Sequence, residues 1–254
     1  SVWDPFQFKL DDKGDRTLIG AGSYGWGPKY DGQPIRNYDG TWTNYSPHKN
    51  NMLDLYQLGL NSNTNVAIRG GNDKTSYYTS LSYKKARSTS EKNTFERYSF
   101  LLKGSHKISD RVEVSAAMSF TNSNPKNSPR TVGERFVNPN GTIMTPMLDV
   151  NYFRDKYLGE HGGLASTSYG DKYGSVPGRD LFFMIDKYDY SQKETVVRPQ
   201  MEVNVQILDW LRFKADANMN YYYTKFEEKQ LGSGYANEGG KYTMGQTTKE
   251  QATF

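Results

Sequence analysis

The sequence predicts an all-β protein, an antiparallel transmembrane β-barrel segment with long extracellular loops. Three observations lead there. Apolar and polar residues alternate with period 2 over six long segments. Short and long connections alternate between those segments. The composition is rich in Tyr, Asn and Gly yet poor in apolar residues.

Only 35% of the 254 residues are hydrophobic, and mean hydropathy is −0.84, low for a compact soluble protein of this size. Aromatics nevertheless reach 14%, led by 20 Tyr, and disordered chains are depleted in aromatics, so plain disorder is excluded. Tyr, Thr and Val favour strands, while the 24 Gly and the many Asn punctuate turns. No stretch approaches the ~20 apolar residues of a membrane helix. A barrel strand, by contrast, is only about 10 residues long and half polar. The chain has no Cys, which excludes disulfides and thiolate metal sites. Its 32 basic and 28 acidic residues are too evenly mixed to point to nucleic acid. Ser1-Val2-Trp3-Asp4-Pro5 has neither the basic start nor the apolar core of a leader, so the first residues read as the interior of a longer protein.

Residues 1–54 are rich in Gly, Pro, Tyr and Asn with little periodicity, and they read as an extracellular loop region preceding the strands. Residues 55–254 read as the barrel segment. In 55–69, Tyr56, Leu58, Leu60, Val66 and Ile68 share one face. In 75–85, Tyr77, Thr79, Leu81 and Tyr83 oppose Ser76, Ser80, Ser82 and Lys84. In 95–108, Tyr98, Phe100 and Leu102 oppose Arg97, Ser99 and Lys103. Segment 111–121 sets Val112, Val114, Met118 and Phe120 against Glu113, Ser115 and Ser119. Segment 194–207 sets Val197, Met201, Val203 and Val205 against Arg198, Gln200, Glu202 and Asn204. The last, 211–223, sets Phe213, Ala215 and Tyr221 against Lys214, Asp216 and Asn220. Such alternation is the pattern of strands with one apolar and one polar face.

Gly70 to Lys74, Ser109-Asp110 and Leu208 to Trp210 are hairpin-sized connections. The others are longer: Ala86 to Thr94, a long extracellular loop over 122–193, and a Gly-rich run after Thr224. One end of the sheet therefore carries tight turns and the other carries loops, as in outer-membrane barrels. A soluble β-sandwich binding module also alternates, and it remains the competing reading. Long strands, aromatics near strand ends and so long a loop favour the barrel. On that reading Phe100, Leu102, Val114, Met118, Val203, Val205, Phe213 and Ala215 face lipid. Arg97, Lys103, Glu202, Asn204, Lys214 and Asp216 face inward.

Several blocks carry a family resemblance. Tyr24-Gly25-Trp26-Gly27-Pro28-Lys29-Tyr30-Asp31-Gly32 resembles the WGP-x-x-DG loop signature of SusC/RagA-type TonB-dependent importers. Asn63 to Thr75 is similar to their N-x-NVS-x-SGG-x-x-KT strand–turn–strand, and Phe95-Glu96-Arg97-Tyr98-Ser99 to their F-x-RYS strand start. Lys156 to Gly163 and Leu231 to Gly240 resemble loops of one subgroup. The resemblance implies a 22-stranded barrel closed by an N-terminal plug, with a SusD-like surface lipoprotein as lid and TonB–ExbB–ExbD as energy source. It implies import of nutrient oligomers, glycans or peptides, across the outer membrane. A passive porin-like channel is the other alternative. No TonB box and no plug-like region occur in this stretch, and an open sheet is not viable in lipid, so further polypeptide is expected.

Gly20-Ala21-Gly22-Ser23-Tyr24-Gly25 matches the dinucleotide fingerprint, but Trp26-Gly27-Pro28 follows it where a helix is required. His48, His106 and His161 lack ligand spacing. Asp149, Asp155, Asp171, Asp180, Asp186 and Asp189 show no EF-hand spacing and read as solvated loop charge. No nucleophile–base arrangement is present, so neither an enzyme nor a cofactor is expected. The loop aromatics are the candidate substrate or lid contacts: Trp26, Tyr30, Trp42, Tyr157, Tyr169, Tyr173 and Phe182. Flat amphipathic rings near Asn, Asp and Arg suit stacking on sugars or gripping peptides, and packing among the loops is the plainer role for most of them.

Overall fold

A computed structural model describes residues 8–18, 28–37, 40–50, 53–128, 151, 154, 182, 185–230 and 240–254. Four short strands come first: β1 (Phe8–Leu10), β2 (Arg16–Leu18), β3 (Pro34–Arg36) and β4 (Trp42–Asn44). Seven long ones follow: β5 (Leu60–Gly71), β6 (Thr75–Arg87), β7 (Thr94–Ser109), β8 (Val112–Lys126), β9 (Tyr188–Leu208), β10 (Leu211–Gln230) and β11 (Lys241–Thr253). The seven pair antiparallel in sequence order, as expected from the hairpin-sized turns. Among the described residues the sheet is not closed, and β5 and β11 are its edges.

The tight turns have identifiable causes. At β5–β6 the Asn72 side-chain carbonyl accepts the backbone N–H of Lys74 (2.9 Å) and of Thr75 (2.8 Å), a local hydrogen-bonded turn typical of Asn. Gly71 is required beside it, because a Cβ there would lie 2.4 Å from the Thr75 carbonyl oxygen. β-Bulges at Lys107/Ser109 and Leu211/Arg212 sharpen the other two turns.

Cross-strand pairing groups the alternating residues into two faces. One row on the apolar face runs Val66–Leu81–Phe100–Phe120–Val197–Tyr221, and parallel rows hold Leu102–Met118 and Val114–Val203–Ala215. No second sheet covers this face among the described residues: Val66 is 62% exposed, Met201 53% and Phe213 52%. A sandwich would bury these side chains, whereas here they stand exposed among the described residues. The charged set predicted to face inward lies together on the opposite face, which is the concave one and holds a depression of about 780 Å³. On β9 and β10 the apolar band spans Val197–Ile207 and Leu211–Tyr221, the 9–11 residues a spanning strand needs. Tyr83, Tyr98 and Tyr223 share a row at its loop-side border, and Tyr83 stacks on Tyr98 at 4.7 Å.

Several sequence-based boundaries shift. The first long strand begins at Leu60 rather than 55; Leu53–Leu55 form a 3-10 turn and residues 56–59 are not strand, because Gln57 is drawn to a neighbouring loop. The loop expected over 122–193 is shorter, since β8 continues to Lys126 and β9 starts at Tyr188. The Gly-rich run expected after Thr224 begins later: β10 continues to Gln230, and β11 is an additional strand. Residues 1–54, read as loop, contain the four-stranded sheet β1–β4 with Leu18, Ile35 and Tyr45 buried. On β8, β9, β10 and β11 polar side chains hid the strand, because hydrogen-bonded pairing continues where no apolar face has to be covered; β1–β4 were hidden by being only three residues long.

A glycine contact offers one test. Gly245 pairs with Phe226, and a Cβ on it would fall 2.2 Å from the Phe226 ring. Gly245→Val is expected to displace the ring and destabilise the β10–β11 pair by about 1–3 kcal/mol. The urea midpoint of the full-length protein measures this; an unchanged midpoint means the ring swings away freely.

Candidate functional site

The candidate site has two parts, the polar concave wall and the loop end above it. On the wall, the row Arg69–Tyr78–Lys103–Ala117–Gln200–Asn218 crosses six strands. Beside it runs Ser76–Ser105–Ser115–Glu202–Asp216. Strand pleating puts all of these on one side at fixed spacing, and Arg69, Tyr78, Lys103, Gln200 and Glu202 line the 780 Å³ depression. Glu202 accepts a hydrogen bond from the Asn204 amide (2.7 Å) and an ion pair from Lys214 (3.0 Å). The Ser76 and Ser105 hydroxyls bond each other at 2.8 Å. Further along, Arg198 donates to the Tyr222 hydroxyl at 3.1 Å. Arg69 and Lys103 have no ion pair among the described residues. The wall therefore offers fixed hydrogen-bonding groups and, among the described residues, cations without an ion pair. Among the described residues no group of three or more His, Asp or Glu side chains converges as a metal site.

At the loop end the contacts converge on the β6–β7 loop, residues 88–93. Gln57 donates from its backbone to the Thr89 carbonyl (2.8 Å) and from its amide to the carbonyls of Ser88 and Ser90 (3.0 Å each). Arg154 pairs with Glu91, donates to the Asp54 carbonyl at 3.1 Å, and lies 5.0 Å above the Phe182 ring. The Lys92 ammonium donates to the Asp186 carbonyl at 2.6 Å. Asn127 is buried and takes a left-handed backbone (φ 49°), which Asn tolerates. Its side chain accepts from the Tyr190 N–H (2.7 Å) and donates to the Lys92 carbonyl (3.3 Å). The segment before β5 and the long β8–β9 loop thus meet at the end opposite the tight turns.

Sequence reasoning missed Gln57, Lys92, Asn127 and Arg154. Their partners lie up to 100 residues away, and only the αL-tolerant Asn at a strand end carried a local signal. Of the aromatics singled out, Tyr30 packs on Tyr45 (4.7 Å) in the small sheet. Trp42 is 52% exposed, with the Arg36 guanidinium 4.6 Å from its ring. Phe182 is buried under Arg154. Trp26, Tyr157, Tyr169 and Tyr173 lie outside the described residues.

Beside Tyr30, Asp31 has its carboxyl held below the ordinary value of 3.8, chiefly by the Arg16 guanidinium at 2.7 Å and then by the Gln33 N–H. A depressed carboxyl contributes stability that is present above its ordinary value and is lost as pH falls through the lowered one. Amide exchange at Leu18, Ile35 and Tyr45 is therefore expected to accelerate as pH is lowered past 3.8, after correction for intrinsic rates, and Asp31→Asn should remove that step.

No protein-family model and no curated protein matches the chain. Among solved structures, a chain of the RagAB peptide importer in its open-open state is similar, with TM-score 0.61 and 16% identity, covering 80% of this chain and 22% of that one. The closed-closed state gives TM-score 0.55 and 18% identity over 81% and 23%. A further RagAB peptide transporter structure gives 0.55 and 17% over 79% and 22%. At these identities the likeness is one of fold, and the chain spans about a fifth of the neighbours' length. The chain has the all-β, antiparallel architecture of a barrel segment, matching part of a RagAB importer chain.

Proposed function

We propose that this chain is a wall segment of a TonB-dependent outer-membrane importer of nutrient oligomers. The apolar convex face meets lipid, and the polar concave face lines the lumen around a plug. The loop end forms the outer vestibule beneath a SusD-like lipoprotein lid, and TonB–ExbB–ExbD supplies energy from the periplasm. One observation carries this reading: among the described residues the sheet is a single layer whose apolar face stands uncovered while its polar face is concave. Likeness to RagAB chains supports transport over binding alone, and peptides over glycans as the oligomer. Closure requires strands pairing with β5 and β11, because unpaired backbone groups are costly in lipid. The loop aromatics Trp26, Tyr30, Trp42, Tyr157, Tyr169 and Tyr173 are proposed lid or substrate contacts, and Phe182, buried beneath the Arg154 guanidinium, would act through that arginine.

Uptake of labelled oligopeptides and oligosaccharides by cells carrying or lacking the full-length gene tests the proposal. Peptide uptake that needs the gene and stops with a protonophore is expected. Uptake that survives the protonophore returns the porin reading, and oligosaccharide-only uptake reverses the substrate.

A further inference from the structure

Above the tyrosine row the outer face changes character. Strands β9 and β10, at 21 and 20 residues, run about 10 residues past the apolar band. On that same face, two residues beyond Thr195 and Tyr223, Lys193 pairs across the strands with Lys225. The next row is Lys126–Ser191–Glu227, and beyond it Asp189 pairs with Lys229. Lys126, Lys193, Lys229, Asp189 and Glu227 line a depression of about 290 Å³. The carboxylates are already occupied. Glu227 accepts Lys225 (3.1 Å) and the Tyr242 hydroxyl (3.0 Å), and Asp189 accepts the Asn127 amide (3.3 Å). Lys126, Lys193 and Lys229 have no ion pair among the described residues.

Like-charged side chains facing each other across adjacent strands are destabilising, and of the facing pair only Lys225 has a carboxylate, Glu227, while Lys193 has none among the described residues. We infer that this lysine cluster binds the phosphorylated headgroup of an outer-leaflet lipid. Continuity identifies the occupant: the depression begins two residues, about 7 Å, above the tyrosines that border the apolar band. Tyrosine rings sit at headgroup level in membrane proteins, so a lipid packed on Phe120 and Val197 holds its phosphate beside Lys193. A soluble anion has no such reason to prefer this face to the concave one, where Arg69 and Lys103 stand free. The inference rests on the membrane reading of the apolar face.

The test uses the full-length protein, wild type and Lys126→Gln/Lys193→Gln/Lys229→Gln, with barrel assembly verified by heat-modified gel migration. Affinity for nanodiscs containing phosphorylated lipid, and phosphate-bearing lipid retained through purification, are both measured. Each cation near an anionic surface contributes on the order of fivefold, so the triple variant is expected to bind on the order of a hundredfold more weakly. The triple Lys→Arg variant should restore binding, and Lys103→Gln on the concave wall should leave it unchanged. Equal lipid retention by the Gln variant overturns the site, as does stabilisation by inorganic phosphate alone equal to that by lipid. A single-cysteine label at position 102 separates the two readings. If the bilayer does not shield it, the membrane wall and the lipid site both fall; if it is shielded and lipid retention is equal, only the lipid site falls.

Discussion

Replacing Leu102 or Met201 by Arg is expected to destabilise the bilayer-inserted full-length protein by about 2–4 kcal/mol each, the cost of a guanidinium near the membrane midplane on a barrel exterior. Both side chains lie within the apolar band, Leu102 44% and Met201 53% exposed, with no layer of the described residues over them. The measurement is reversible urea unfolding from liposomes or micelles. Lys103→Ala, one residue away but on the concave face, is the control and should change stability by less than about 0.5 kcal/mol. The contrast between neighbours is the point, because strand pleating sends them to opposite sides. A large effect at Lys103 with none at Leu102 would invert the sheet and bring back a water-filled exterior.

Asn127→Ala should cost about 1–3 kcal/mol, because it leaves the Tyr190 N–H and the Lys92 carbonyl without their side-chain partner in a buried place. Its effect should be local. Asn127 joins the end of β8 to the start of β9 and to the β6–β7 loop, so hydrogen exchange should rise at residues 88–93 and 188–191 and stay unchanged at the tight turns. Arg154→Ala acts on the same loop from its other side, through Glu91 and Asp54. Exchange that rises evenly over the whole sheet would mean Asn127 contributes to global stability rather than to the collar of contacts around the β6–β7 loop, residues 88–93.

The strand pattern was legible because it is local. A residue's face depends only on its parity along a strand, so Val66, Phe100, Met118 and Phe213 could be sorted from Asn65, Ser99 and Lys214 without knowing any partner. Turn chemistry was legible for the same reason: Gly71 and Asn72 act within four residues. Where polar side chains covered both faces the signal vanished. The upper halves of β9 and β10 and all of β11 were therefore read as loop, while the strands of the small sheet, three residues each, are too short to show a period.

Amino-acid order by itself determined an antiparallel sheet with one apolar face, tight turns at one end and loops at the other. Only the tertiary structure decided which face is concave, since curvature arises from all seven strands together. It also showed that no second sheet of the described residues packs on the apolar side, a point on which alternation alone is silent. The collar at residues 88–93 and the lysine cluster on β8, β9 and β10 belong to the same class. They bring together residues tens of positions apart, and pairing register, absent from any single segment, is what places them side by side.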